Sequence, residues 1–213
     1  MNIKKSTLYS VIASSLVAIT IPQAHAELTL SLDMFQDSGD RDTSASYSSY
    51  GDEIDSVGSV ADSSGYRLRL GLGSLTKSRI ELYFSQYDVD DEGVINFNKE
   101  WEFGANKIIT FRQKIVNPSL GAVTPFLKVG LGMGQADTDI DFTTDLSDDT
   151  TDNIYNIHLN LGGGVSYSFS DNVAITGNLE YIYRNWQDIE AGPFTIGITD
   201  SLFRLGVGVD VSF

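Results

Sequence analysis

The chain contains no cysteine, only four prolines and only two histidines among its 213 residues. Without cysteine no disulfide can staple it, so stability must come from the fold itself. With only His25 and His158 present, a metal site built on clustered histidines is excluded. Positive charge is also scarce: 14 Lys and Arg stand against 29 Asp and Glu, for a net charge of −15. Such a surface repels nucleic acid and anionic substrates, and it attracts metal ions or basic partners. Beyond the first 26 residues, no segment approaches the ~20 consecutive apolar residues that a membrane-spanning helix needs.

What is present begins with an export signal. Lys4 and Lys5 precede an apolar stretch from Leu8 to Ile21, and after Pro22 comes Ala24-His25-Ala26, an A-x-A cleavage site. Residues 1–26 are therefore predicted to be a cleaved signal peptide, cut between Ala26 and Glu27 after Sec-type export. Residues 27–213 form the mature domain, in which His158 is the only histidine. Loss of Lys4 and Lys5 leaves the mature chain at a net charge of about −17. Any membrane span in an exported chain of this kind must be built from strands.

The terminal stretch is the clearest strand. Phe203, Leu205, Val207, Val209, Val211 and Phe213 are apolar, and every residue between them is Arg, Gly, Asp or Ser. One wholly apolar face opposite a small or charged face suits a wall between lipid and a polar lumen. Seven more segments alternate in the same way: 28–35, 66–75, 79–87, 95–105, 126–134, 154–169 and 173–184. In the fourth, Phe97, Trp101 and Phe103 take the apolar face, and Glu100, Glu102 and Gly104 the other. Tight turns at 75–78 and 170–172 alternate with polar, acidic connections at 36–65, 88–94, 135–153 and 185–201. The segment 106–124 fits this scheme badly. It is long for a turn, contains Ile108-Ile109-Thr110-Phe111, and leaves Lys107 unplaced. The predicted fold is all-β: an eight-stranded antiparallel transmembrane β-barrel of up-and-down topology. A soluble lipocalin-like barrel, the rival, would turn the apolar faces inward.

Three stretches carry a resemblance. Pro125-Phe126-Leu127-Lys128-Val129-Gly130-Leu131-Gly132 is a Gly-rich strand, and Gly162-Gly163-Gly164-Val165-Ser166-Tyr167-Ser168-Phe169-Ser170-Asp171-Asn172 is a strand and turn. Leu179-Glu180-Tyr181-Ile182-Tyr183-Arg184 and the terminal Phe213 complete the set. The chain resembles the eight-stranded outer-membrane β-barrel family that includes the OmpA transmembrane domain, OmpX and the opacity proteins. The resemblance implies residence in the outer membrane, with its lipid and lipopolysaccharide as partners. It also implies that Phe213 is the assembly signal read by the barrel-assembly machinery. A monomer is expected, and no nucleic-acid partner.

The inward faces hold Arg67, Arg69, Arg79, Lys128, Arg184 and Arg204 against Glu27, Asp33, Glu81, Glu100, Glu102, Glu180 and Asp210. An eight-stranded barrel is only wide enough to be filled by its own side chains. Near-balance in so narrow a space predicts a plug of ion pairs, whereas a selective pore shows an excess of one sign. The inward glycines leave room for the long arginines.

Signals for chemistry are few. His158 sits in Ile157-His158-Leu159-Asn160, without the following Ser of a deacylase, and no Gly-x-Ser-x-Gly elbow occurs. It is expected to hydrogen-bond within the lumen, and no enzymatic activity is expected. Asp88-Val89-Asp90-Asp91-Glu92-Gly93 matches the front of an EF-hand loop, but Lys99 stands where its bidentate Glu belongs. Asp88, Asp90 and Glu92 are thus candidates for loosely bound calcium; no other cofactor is implied. The acidic loops are the stronger clue, with no Lys or Arg from Gln135 to Asn153. The function expected is envelope structure and surface interaction, the loops contacting cations, lipopolysaccharide or an unnamed partner. The alternative is a narrow porin-like channel for ions or small solutes.

Overall fold

The computed structural model describes residues 27–47, 53–73, 75, 78–90, 95–111, 115–117, 121–140, 153–191 and 194–213. Eleven strands lie among them: β1 (Leu28–Tyr47), β2 (Glu53–Val60), β3 (Asp62–Leu72), β4 (Arg79–Asp90), β5 (Ile95–Thr110), β6 (Ile115–Asn117), β7 (Gly121–Ile140), β8 (Asn153–Ser168), β9 (Val173–Trp186), β10 (Ile189–Ala191) and β11 (Phe194–Ser212). Eight of them close a barrel in the order β1, β3, β4, β5, β7, β8, β9, β11, each antiparallel to the next. The ring is completed by β11 against β1, from Thr29↔Ser212 up to Tyr47↔Phe194. The three short strands extend hairpins: β2 along the top of β1, β10 along the top of β11, and β6 at the base of β7.

The strand period sorts the side chains. Leu205 is 63% exposed, whereas its neighbour Arg204 is 0% exposed. The same inversion repeats at Val129 beside Lys128 and at Leu161 beside Asn160. The apolar face is therefore the outside, which rules out the lipocalin-like arrangement and leaves a wall suited to lipid. Aromatic pairs mark both ends of that wall. Trp101 stacks on Phe103 at 5.9 Å and Tyr181 meets Phe203 at 5.4 Å toward the top; Tyr167 and Phe169 meet at 4.6 Å toward the base.

At the base, the ends of the barrel strands tie together. Phe213 N–H donates to the Leu28 carbonyl at 2.8 Å, and Leu28 N–H to that of Phe213 at 3.3 Å. In the tight turn after β8, the Ser170 hydroxyl accepts from the N–H groups of Asn172 and Val173. Gly73 closes the turn after β3 with a φ of +128°, a conformation that L side chains rarely adopt.

The strands run further than alternation indicates. The connections expected at 36–65 and 185–201 are largely strand, and that at 135–153 begins as strand: β1 continues to Tyr47, β2 returns from Glu53, β7 reaches Ile140 and β11 begins at Phe194. Above the apolar belt the ladder continues through Ser, Thr and Asp, residues that pair as backbone but carry no hydrophobic period. The awkward segment 106–124 resolves likewise. β5 continues to Thr110, and β6 turns back onto β7 with Ile115↔Val123 and Asn117↔Gly121. Lys107 lies exposed on the outer wall.

One strand breaks its period. Between Phe97 and Glu100, β5 gains a residue on β7: Phe97 faces Thr138 and Glu100 faces Ala136. This bulge puts both side chains inside, so Phe97 is buried rather than on the outer face as its alternation suggested.

Candidate functional site: the charged lumen and its upper rim

Among the described residues, eight carboxylates and seven Lys or Arg side chains are buried. They meet because odd residues of β1, β3 and β4 and even residues of β5, β7, β8, β9 and β11 all turn inward. The charges form layers. At the base, Arg69 Nε lies 2.7 Å from Asp33, and its two other nitrogens lie 2.9 Å from Glu81 and 2.8 Å from Asp210. Arg79 adds a second cation at 2.8 Å from Glu81, and the Thr176 hydroxyl donates to Asp210.

Glu102 organises the middle layer. It accepts from Arg204 at 2.5 Å, Arg184 at 3.3 Å and Arg67 at 3.5 Å. Arg204 also forks onto both oxygens of Asp37, at 2.6 and 2.7 Å. Arg67 reaches Glu180 at 2.9 Å, and Lys128 caps the same carboxylate. His158 is hydrogen-bonded at both ring nitrogens: its Nε2 lies 2.6 Å from the Tyr83 hydroxyl, and its Nδ1 lies 3.1 Å from Asn156 Oδ1. Both partners lie inside the barrel.

The upper layer is built around Asp200. It takes hydrogen bonds from Arg41 at 2.7 Å, Arg184 at 3.1 Å and the indole N–H of Trp186 at 2.8 Å. Glu100 is different. Neither of its oxygens accepts a hydrogen bond, and the nearest guanidinium nitrogens lie 3.7 Å away on Arg184 and 3.9 Å away on Arg41. Over this layer sits an apolar cap of Phe97, Ala136, Ile154, Trp186, Ile189 and Ile198. The Arg41 guanidinium stacks beneath it, 3.7 Å from the centre of the Phe97 ring.

Arg67, Arg69, Glu81, Glu100, Glu102, Lys128, Glu180, Arg184, Arg204 and Asp210 all have buried side chains in this one network. Three members escaped the sequence reading: Asp37, Arg41 and Asp200, which fell in segments read as loops. Their signal was there, since Asp37 and Arg41 keep the inward parity of Asp33, and Asp200 that of Arg204. Glu27, expected inside, is exposed at the start of the barrel. Asp88 and Asp90 lie on β4 opposite Ser64 and Asp62 of β3, in extended backbone rather than in a loop. Glu92 lies outside the described residues, as do Ala26 and the acidic run 141–152.

No protein-family model matches the sequence, and no curated protein matches it. Solved structures do. The outer membrane protein OprG from Pseudomonas aeruginosa superposes with a TM-score of 0.54 at 13% identity, over 88% of this chain and 96% of that one. The chain has the fold of the eight-stranded outer-membrane β-barrels. Neisserial surface protein A matches at a TM-score of 0.49 and 19% identity, over 89% of this chain and 100% of its own. The attachment invasion locus protein Ail of Yersinia pestis matches at 0.40 and 14%, over 89% and 100%. In an outer-membrane barrel the short turns face the periplasm and the long hairpins face outward. On that orientation the apolar cap and the acidic hairpins of this barrel share the outer end.

Proposed function

We propose that this protein is a non-enzymatic outer-membrane barrel that contributes to envelope structure and interacts through its acidic outer hairpins with cations, lipopolysaccharide or a basic surface partner. The observation that carries this reading is the segregation of charge. Seven basic side chains are consumed inside the barrel, and Lys107, near the base, is the exposed basic side chain among those described. Asp40, Asp42, Asp88, Asp137 and Asp188 lie exposed at the outer end, with Lys99 opposite Asp88 in the β4–β5 register. Among the described residues, exposed negative charge is thereby concentrated at the outer rim, with only Glu27 and Asp171 exposed at the base. Carboxylates so placed repel one another and the phosphates of lipopolysaccharide unless cations bridge them.

A role as a channel finds less support. The lumen is crossed by ion pairs at every level, and its outer end is covered by packed apolar side chains.

The test is limited proteolysis of refolded residues 27–213 in lipid, with calcium or with chelator. The proposal expects calcium to slow cleavage in the acidic hairpins, and expects that protection to vanish when Asp145, Asp148, Asp149 and Asp152 are changed to Asn. Identical cleavage in both conditions would remove cation bridging from the reading.

A further inference from the structure

A second polar feature lies on the outer wall, outside the lumen and along the flank of the β1–β2 hairpin. Beside Ala61, where β2 passes into β3, two clefts of about 610 and 390 Å³ adjoin and share Ser64. They are within the size range of small-molecule sites. The lower lip is lipid-facing, with Met34 75% exposed and Tyr66 51% exposed. The upper lining is polar: Gln36 from β1, Asp62 and Ser64 from β3, Gln86 and Asp88 from β4.

The belt is low on this side. β4 offers Ile80, Leu82 and Phe84 to the outside before Gln86 replaces them, whereas β9 carries apolar or aromatic residues outward as far as Tyr183. The cleft thus sits at the edge of the apolar wall, where a lipid headgroup begins. Its polar groups are partly set in place. The Tyr66 hydroxyl donates to Gln86 Oε1 at 2.6 Å, which leaves the Gln86 amide N–H groups free to donate outward. Asp62 Oδ1 is shielded from solvent and accepts no hydrogen bond.

Three ligand chemistries can be compared. Phosphate or sulfate meets the carboxylates of Asp62 and Asp88, with no basic side chain among the described lining residues, and is disfavoured there. An ammonium group offers only donors, whereas Gln86 presents donors and Ser64 both donor and acceptor. Hydroxyl groups answer all of these at once, donating to Asp62 and Asp88 and accepting from Gln86. An aromatic residue at the lip suits the apolar face of a sugar ring. We infer that this cleft binds the uncharged saccharide headgroup of a membrane glycolipid, with the lipid chain lying on the wall below Met34 and Tyr66. The inference is independent of what the acidic hairpins bind.

The test uses ¹⁵N-labelled residues 27–213 refolded in phosphocholine nanodiscs and titrated with dodecyl maltoside, an uncharged disaccharide on an alkyl chain. Saturable shifts are expected at the Gln86 side-chain amide and at the Ser64 and Gly65 backbone. They are expected to disappear in Ser64→Trp, which fills the cleft from an exposed position, and to need at least tenfold more ligand in Gln86→Leu. Dodecylphosphocholine should leave these signals unmoved. Equal shifts around the whole wall, for example at Ile157 and Leu205, would mean general detergent uptake and would overturn the proposal. So would saturation by free maltose, which would remove the membrane source, or shifts that survive both substitutions.

Discussion

Two carboxylates two residues apart show how position decides what a buried charge does. Glu102 faces three arginines within 3.5 Å, while Glu100 meets none closer than 3.7 Å and accepts no hydrogen bond. Removing one partner from a buried, hydrogen-bonded charge cluster costs about 3–5 kcal/mol, because the remaining charges lose their compensation. Glu102→Gln should therefore lower the thermal unfolding midpoint of the refolded barrel sharply. Glu100→Gln removes the eighth carboxylate opposite seven cations, and it should leave that midpoint unchanged or raised. A comparable loss in both variants would contradict the assignment of Glu100 as the surplus charge. The same measurement applied to Arg67→Ala and Asp148→Ala should show the lumen substitution to be the more damaging. Glycine matters here through space rather than flexibility. A Cβ on Gly132 would collide with the Tyr83 hydroxyl and the His158 ring, and one on Gly208 with the Asp33 carboxylate. Gly132→Val should accordingly displace the Tyr83–His158 pair, seen as loss of the buried His158 ring signals in the proton spectrum.

The bulge in β5 is the element on which the outer closure turns. By adding one residue between Phe97 and Glu100, it brings an aromatic ring inside, 5.1 Å from the Trp186 ring and over the Arg41 guanidinium. Trp186 is 3% exposed as a result. In a Trp101→Phe background, which leaves Trp186 as the sole indole, Phe97→Ala should shift its emission to the red and admit iodide quenching. An unchanged spectrum would mean that the cap does not depend on Phe97. This element also marks where the sequence stops being legible. The eight barrel strands and most of the lumen charges could be read from period-2 alternation, because lipid on one side and ion pairs on the other impose opposite residue types. Beyond the belt both faces are wet or self-packed, so the upper parts of β1 and β11 kept the parity of their charges but no apolar face to mark it, and Asp37, Arg41 and Asp200 were left among loop residues. The bulge could not be read at all, since a single extra residue inverts parity without changing composition. The clefts beside Ala61 lie along β2 and β3, segments that read in sequence as part of one acidic loop.

At the scale of the molecule, the decisive property is where charge has been put. The lumen is close to neutral with eight carboxylates and seven bases, so almost the entire net charge is carried outside it. A conducting pore needs a continuous path of water and a barrier low enough for ions to enter and leave. Here the path is interrupted twice by independent physics. Arginines spanning from wall to wall fill the layers around Glu102 and Asp210, and the apolar cluster around Phe97 and Trp186 excludes water from the outer mouth. Removal of the cap alone should therefore fail to open the barrel, because the ion-paired layers remain beneath it. Residues 27–213 refolded into a planar bilayer are expected to give a silent trace, and Phe97→Ala is expected to remain silent. Conductance is expected only when Phe97→Ala is combined with shortening of Arg67, Arg69 and Arg204 to Ala, which opens the cap and thins both ion-paired layers. Reproducible steps in the unaltered protein, with an ion preference lost on neutralising Arg67 or Glu100, would make it a channel and would sink the plugged-lumen reading. The acidic rim would then be the vestibule of that channel, concentrating cations at its mouth, rather than a surface for partners.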